Sequence, residues 1–207
     1  MSTGIHGGIE YRHPGVGSDH YEGEPWVAAV DLWPLYDQSD YAAFGCLFGV
    51  RNTAGYRPLA AGRGLPADLS SGLRADLWDS VRDGFLTDAT WVSWADVASL
   101  DPAAGPESYA GRLSWSALDP PSTHHQVLVP ARWPPEVVAA VGPRPVGLGE
   151  ADTGTEWVSG GVRCRYESLA AGAVLGAGTH WPYVFNVMRA LADRFGADGV
   201  RLVVAFD

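Results

Sequence analysis

Val200-Arg201-Leu202-Val203-Val204-Ala205-Phe206 is the stretch that decides the fold. Its near-continuous apolar character, bounded by a glycine upstream, reads as a strand covered on both faces, at the centre of a sheet. At the other end of the chain, Ile5–Arg12 alternates Ile5, Gly7, Ile9 and Tyr11 against His6, Gly8, Glu10 and Arg12, the period of a half-buried strand. Trp26–Leu32 is apolar enough for a second strand, and Pro34 ends it. Between them, His13–Pro25 is rich in Gly, Pro and acidic residues, so the two strands read as a hairpin with a long polar connection.

Helices follow from spacing and caps. Ser39 is positioned to cap a helix running to about Val50, burying Tyr41, Phe44, Leu47 and Phe48. Ser71–Asp83 places Leu73, Leu77 and Val81 on one face and has Gly84 as its stop. Ser93 with Asp96 three residues on has the form of a capping box for a short helix to Leu100. Pro182 opens a helix to Phe195 whose apolar stripe is Val184, Val187, Met188, Leu191 and Phe195. Trp157–Glu167 reads as a strand or hairpin turning at Gly160-Gly161. Residues 102–155 hold nine prolines and read as a loop-rich layer or lid with a short helix near Glu136–Val141. The expectation is a single α+β domain over residues 1–207: a mostly antiparallel sheet, packed helices and a proline-rich loop layer.

Composition removes whole classes of chemistry. The 207 residues contain fourteen basic side chains, and all are arginine. Without lysine there is no Schiff-base amine, no internal anchor for pyridoxal phosphate and no P-loop lysine. The net charge of −10 makes nucleic acid an unfavoured partner and matches a solvated acidic surface. Cys46 and Cys164 stand far apart with no C-x-x-C, no N-terminal segment has the form of a signal peptide, and no apolar run is long enough to span a membrane. These features lead us to expect a cytoplasmic protein with no membrane association.

Candidate functional residues cluster around Phe44–Pro66, FGCLFGVRNTAGYRPLAAGRGLP. An apolar helical run stops at Arg51-Asn52, and Arg63-Gly64-Leu65-Pro66 forms a compact turn with Gly64 suited to a positive φ. Arg51 and Arg63 each fit two roles: bonding helical carbonyls or a carboxylate of the chain, such as Glu10 or Asp207, or holding the phosphate or carboxylate of a substrate. Asn52 joins them as a substrate-binding candidate. His6 and Glu10 share a strand face about 13 Å apart, so they flank a ligand as acid and base or serve as ordinary polar residues. Trp115 and Trp133, in the irregular third, are candidates for an aromatic binding surface. The histidines have no zinc-module spacing, and neither a metal nor a cofactor is expected.

Gly4-Ile5-His6 with Glu10, Val50-Arg51-Asn52, Pro58-Leu59-Ala60 with Arg63-Gly64-Leu65-Pro66, Thr90–Val97 and Val200–Asp207 stand in an order that resembles a family of small uncharacterised proteins of actinobacteria and their phages. Gly4-Ile5-His6 and Glu10 are similar to that family's M-G-C-D-I-H opening and the acidic end of its first strand. Val50-Arg51-Asn52 matches its V-R-N, and Pro58-Leu59-Ala60 with Arg63-Gly64-Leu65-Pro66 its P-I-A-E-P-R-G-L-P. Thr90–Val97 is similar to its S-W-L-T-L-A-E-L, and Val200–Asp207 resembles its V-R-I-V-F-W-F-D-N ending. Residues 102–155 lie outside the resemblance. Gly4 replaces the family's Asp, and Asp83–Asp88 lacks the histidines of its D-G-H-S-H-S segment. The resemblance implies no particular activity.

Two function classes follow. The first is a binding or interaction protein, of a phage, mobile element or specialised pathway, recognising a small molecule or a protein partner. The second is a small cofactor-independent enzyme in which His6 and Glu10 do acid–base work and Arg51 and Arg63 anchor a polar or anionic substrate. An enzyme predicts that those four side chains converge on one cavity. A binding protein predicts an exposed aromatic patch without convergent titratable groups. Oligomeric state is not legible in the sequence.

Overall fold

A computed structural model describes residues 3–118, 124–148 and 154–207. In chain order the elements are β1 (Ile5–Arg12), β2 (Trp26–Asp31), α1 (Tyr41–Phe48), α2 (Ser71–Arg82), β3 (Thr87–Ser93) and α3 (Trp94–Ala98). They continue with β4 (Gly111–Ala117), β5 (His125–Val129), α4 (Pro135–Val141), β6 (Thr155–Ser159), β7 (Val162–Ser168) and α5 (Ala171–Val174). The chain closes with α6 (Trp181–Phe195), a 3₁₀ turn at Ala197–Gly199 and β8 (Val200–Phe206). The fold is α+β, with two four-stranded antiparallel sheets.

The chain divides into two compact units. The first comprises Met1–Arg51, Pro58–Leu100 and His180–Asp207. Its sheet has the order β2-β1-β8-β3, so the C-terminal strand is central as its apolar run predicts. Val200 and Leu202 through Phe206 have no exposed surface. Each large apolar side chain buried this way stabilises the fold by about 1.5–3 kcal/mol relative to exposure. One sheet face is covered by α2, whose Leu73 and Leu77 form a cluster with Leu69, Leu86, Val203 and Ala205. Gly8 makes that close approach possible, because a Cβ there would lie 2.8 Å from Leu73 Cδ2. On the opposite face Phe206 meets Phe44 and Phe48 of α1, and Tyr11 stacks on Phe195 of α6.

Local signals explain the helix ends. Asp40, not Ser39, caps α1, its Oδ1 accepting from the Ala42 and Ala43 N–H groups. Aspartate caps as well as serine does, and the site one residue later lets one oxygen reach both donors. Gly49, with φ 77°, ends α1 before Val50. The Ser93–Asp96 capping box is present at α3, and α6 buries Trp181, Val184, Met188 and Ala192.

The second unit comprises Asn52–Arg57 and Asp101–Thr179, with a sheet of order β5-β4-β7-β6. Residues 102–155, expected to be a loop-rich layer, contain β4, β5, α4 and the first residue of β6. The prolines fall outside these strands, so their density marks the connections and conceals the alternating runs between them. Leu113, Val129, Trp133, Val137, Val141, Leu148, Cys164 and Tyr166 form the core of this unit. The other sheet face is polar, and Arg165 pairs there with Glu156 and Glu167, and Arg112 with Glu167.

Candidate functional site

The chemistry-bearing residues of the first unit are arranged around the two ends of α2. At its N-terminus lies a buried ionic network. Glu10 on β1 has no exposed surface, and Arg201, its cross-strand neighbour on β8, is 4% exposed. Arg201 Nε donates to Glu10 Oε1 at 2.6 Å, and Nη2 approaches the same oxygen at 2.5 Å. Glu10 Oε2 accepts from the Ser70 N–H at 3.1 Å, and Ser70 is the N-cap of α2. The rest of the guanidinium binds Asp68, Nη1 to Oδ1 at 2.9 Å and Nη2 to the carbonyl oxygen at 3.2 Å. The Trp26 ring lies 3.8 Å from the guanidinium carbon, and its Nε1 donates to Asp68 Oδ2 at 2.9 Å. This network seats the start of α2 on the sheet. Burial works to raise the Asp68 carboxyl, but its hydrogen bond to Arg201, that cation's charge and the Trp26 indole outweigh it and hold the group below its ordinary value.

Next to the network is a cleft of about 370 Å³ lined by Trp26, Arg63, Trp91, Ser93, Asp96, Asp198 and Arg201. Arg63 lies over the Trp91 ring at 4.8 Å and forks onto Asp96, with Nη1 to Oδ2 at 2.7 Å and Nη2 to Oδ1 at 3.4 Å. Its Nη1 also donates to the Trp91 carbonyl at 3.2 Å. Hydrogen bonding to Arg63 holds the Asp96 carboxyl below the usual range despite its partial burial. Both guanidinium groups of this cleft are therefore matched by carboxylates of the chain, which disfavours an incoming anion. Gly64 has φ 71° as anticipated, and the Ala60 carbonyl and the Arg63 N–H both bond Thr90 Oγ1, pinning this turn to β3.

These pairings carry a pH dependence. Asp68 and Asp96 have lowered carboxyl pKa values in the folded protein, so their stabilisation is complete above the unfolded value of about 3.9 and is lost as pH falls through the folded values. The expected melting temperature is flat above about pH 5 and falls below about pH 4. In Asp96→Asn the plateau is lower and the acid limb shallower. An unchanged acid limb in that variant would remove Asp96 from the account.

The remaining candidates are dispersed. Arg51, at φ 51°, is exposed and its Nε donates to Thr3 Oγ1 at 2.9 Å. So neither Arg51 nor Arg63 pairs with Glu10 or Asp207: Arg201 takes the first, and His6 sits 3.3 Å from the second. In the second unit Asn52 closes a loop on itself, donating to the Tyr56 carbonyl and accepting from its N–H, both at 2.8 Å. Trp133 is 7% exposed in the core and stacks on Trp157, while Trp115 packs against that core and stacks on His125. Trp133 thus belongs to the second unit's core, whereas Trp115 is half-buried and lines a cleft of about 210 Å³ with Ser114, Ser116, His124, Glu156 and Arg165. His6, Glu10, Arg51 and Arg63 are not brought together: His6 and Arg63 line separate clefts, and Glu10 is sealed.

At the C-terminal end of α2 a different cleft opens, of about 410 Å³. Ile5, His6, Gly7, Asp31, Trp33, Asp76, Leu77, Ser80, Phe85 and Leu86 line it. Trp33 is 78% exposed and Phe85 75%. Both were missed by the sequence reading, although a signal was present. Trp33 stands immediately before Pro34 and Phe85 immediately after Gly84, at positions where the chain turns and no apolar periodicity calls for burial.

Among the described residues no group of three His, Cys, Asp or Glu side chains is arranged to hold a metal ion, and no helix is long and apolar enough to cross a membrane. Both cysteines are buried thiols, and burial pushes Cys46 up to about 12. Comparison with known proteins brings no match to a family model, a curated protein or a solved structure.

Proposed function

We propose that this chain is a cytoplasmic binding or interaction protein whose recognition surface is the cleft between Trp33 and Phe85. The observation that carries this reading is the exposure of two large aromatic side chains, 78% and 75%, on the rim of one cavity. Keeping such groups in water forgoes roughly 1.5–3 kcal/mol apiece, so two exposed aromatic side chains lining one cleft are a mark of recognition. The acid–base reading lacks a comparable observation, because its four side chains do not meet.

A fragment screen by ligand-observed NMR tests the proposal. Wild type is expected to give a set of hits that the Trp33→Ala/Phe85→Ala double variant loses, with its melting temperature unchanged to within about 2 °C because both side chains are exposed. Hits retained in the double variant, or confined to competition at the Arg63–Trp91 cleft, would overturn it.

A further inference from the structure

Among the described residues, three of the nine tryptophans carry a guanidinium over the ring. Arg201 lies over Trp26 at 3.8 Å, Arg74 over Trp78 at 4.4 Å and Arg63 over Trp91 at 4.8 Å. Trp33 is the most exposed of the tryptophans in the described residues, and no guanidinium lies over it there. Its cleft also holds Asp31 and Asp76, which make no ion pair among the described residues, and contains no arginine. His6, the one group in it able to become cationic, is held by Asp207. An aromatic face beside two unneutralised carboxylates is the complement of a planar cation, which stacks on the ring and forks onto a carboxylate.

A second, independent feature points to where that cation comes from. β2 is an edge strand, hydrogen-bonded among the described residues only to β1. Its sequence, Trp26-Val27-Ala28-Ala29-Val30-Asp31, has no lysine, arginine or proline to protect the edge, and the one irregularity in its pairing with β1 is a register shift at Ala29 that leaves Val30 and Asp31, next to the cleft, in regular register. Ala28 and Ala29 are exposed, leaving its outer edge accessible. The strand ends at Asp31, which lines the cleft. An extended segment added to this edge therefore leads into the aromatic cavity. The net charge of −10 opposes pairing of this edge with a second copy and attracts a basic partner.

We infer that the occupant is an arginine-bearing extended segment of a basic partner protein, lying along the free edge of β2 with its guanidinium in the Trp33–Phe85 cleft. This rests on the cleft being the recognition surface, and deepens that reading by naming the chemistry of the ligand.

Calorimetric titration of the full chain tests it with capped heptapeptides of alternating threonine and valine. One carries a central arginine and one a central citrulline, which keeps the shape and removes the charge. Capped arginine alone is the third probe. The arginine heptapeptide is expected to bind about tenfold or more tighter than the citrulline peptide and than capped arginine. Trp33→Ala and Asp31→Asn/Asp76→Asn are each expected to weaken it by a similar factor, with circular dichroism and melting unchanged. Equal binding of both heptapeptides, lost in Trp33→Ala, would overturn the cation while leaving the cleft as a recognition surface. Capped arginine binding as tightly as the heptapeptide would overturn the strand-edge component. Binding indifferent to Trp33, or no binding by any probe, would overturn the inference altogether, and the fragment screen then decides whether the cleft reading falls with it.

Discussion

Glu10→Ala is expected to lower the folding stability by about 3–5 kcal/mol, the usual cost of removing one partner of a buried ion pair. In a chain of this length that corresponds to a melting temperature lower by roughly 10–15 °C. Two losses combine. Arg201, 4% exposed, keeps a full charge in the interior with only the half-exposed Asp68 to compensate it. The Ser70 N–H at the start of α2 loses its acceptor at the same time. The double variant Glu10→Leu/Arg201→Met removes both charges and is expected to fall within about 1–2 kcal/mol of wild type, because apolar isosteres frequently replace buried pairs without loss. Asp68 is exposed enough to be rehydrated when Arg201 is gone. Thermal melts of Glu10→Leu, Arg201→Met and the double variant form the required cycle. A cost below about 1 kcal/mol for Glu10→Ala would mean that the network does not seat α2.

Gly7→Ala is expected to cost about 3 kcal/mol or more, combining backbone strain with overpacking. Gly7 has φ 145°, and a Cβ there would lie 2.0 Å from the Val203 carbonyl oxygen on the central strand. Relief requires β1 to move off β8, breaking the register that pairs Gly7 with Val204 and Glu10 with Arg201. Gly64→Ala is the control: its φ of 71° is also positive, but nothing lies within 4 Å of the added carbon. That change is expected to cost about 1–2 kcal/mol. Equal effects of the two substitutions by urea unfolding would show that backbone conformation, not the approach of β8, is what makes Gly7 necessary.

These two predictions mark where the sequence was legible. The apolar run of β8 and the Ser93–Asp96 capping box are local patterns, and each is present in the structure. The helix α6 buries Val184 and Met188 of its stripe, whereas β1 does not alternate in burial: Gly8, Ile9 and Glu10 are buried in succession because helices cover both faces of the sheet. The Glu10–Arg201 pair was not legible. Arg201 is embedded in an apolar strand, and only the antiparallel register of β1 on β8 shows that the two side chains face each other. The same register explains why His6 and Glu10, on one face of β1, differ so much. Glu10 lies under the start of α2, whereas His6 lies towards its other end, in the open cleft with Asp76 and Ser80. Arg63 fits, by sequence, either a carboxylate of the chain such as Glu10 or Asp207 or a substrate anion; in the structure it forks onto Asp96, the capping-box residue, which serves both. Trp115 and Trp133 were placed in an irregular segment because β4 and β5 are short and separated by prolines. Trp33 and Phe85 stand at turns beside Pro34 and Gly84, where no local period calls for burial, but only the tertiary structure shows that they line one cleft.

The ligand is proposed to enter the Trp33–Phe85 cleft and not the Trp26–Trp91 cleft, whose guanidinium groups are matched by the chain's own carboxylates. An NMR titration with the arginine heptapeptide, following the indole Nε1–H signals of the nine tryptophans, tests this most directly. The signal that disappears in Trp33→Phe is expected to shift with saturation, with that of Trp91 unmoved. A shift at Trp91 without one at Trp33 would contradict the account.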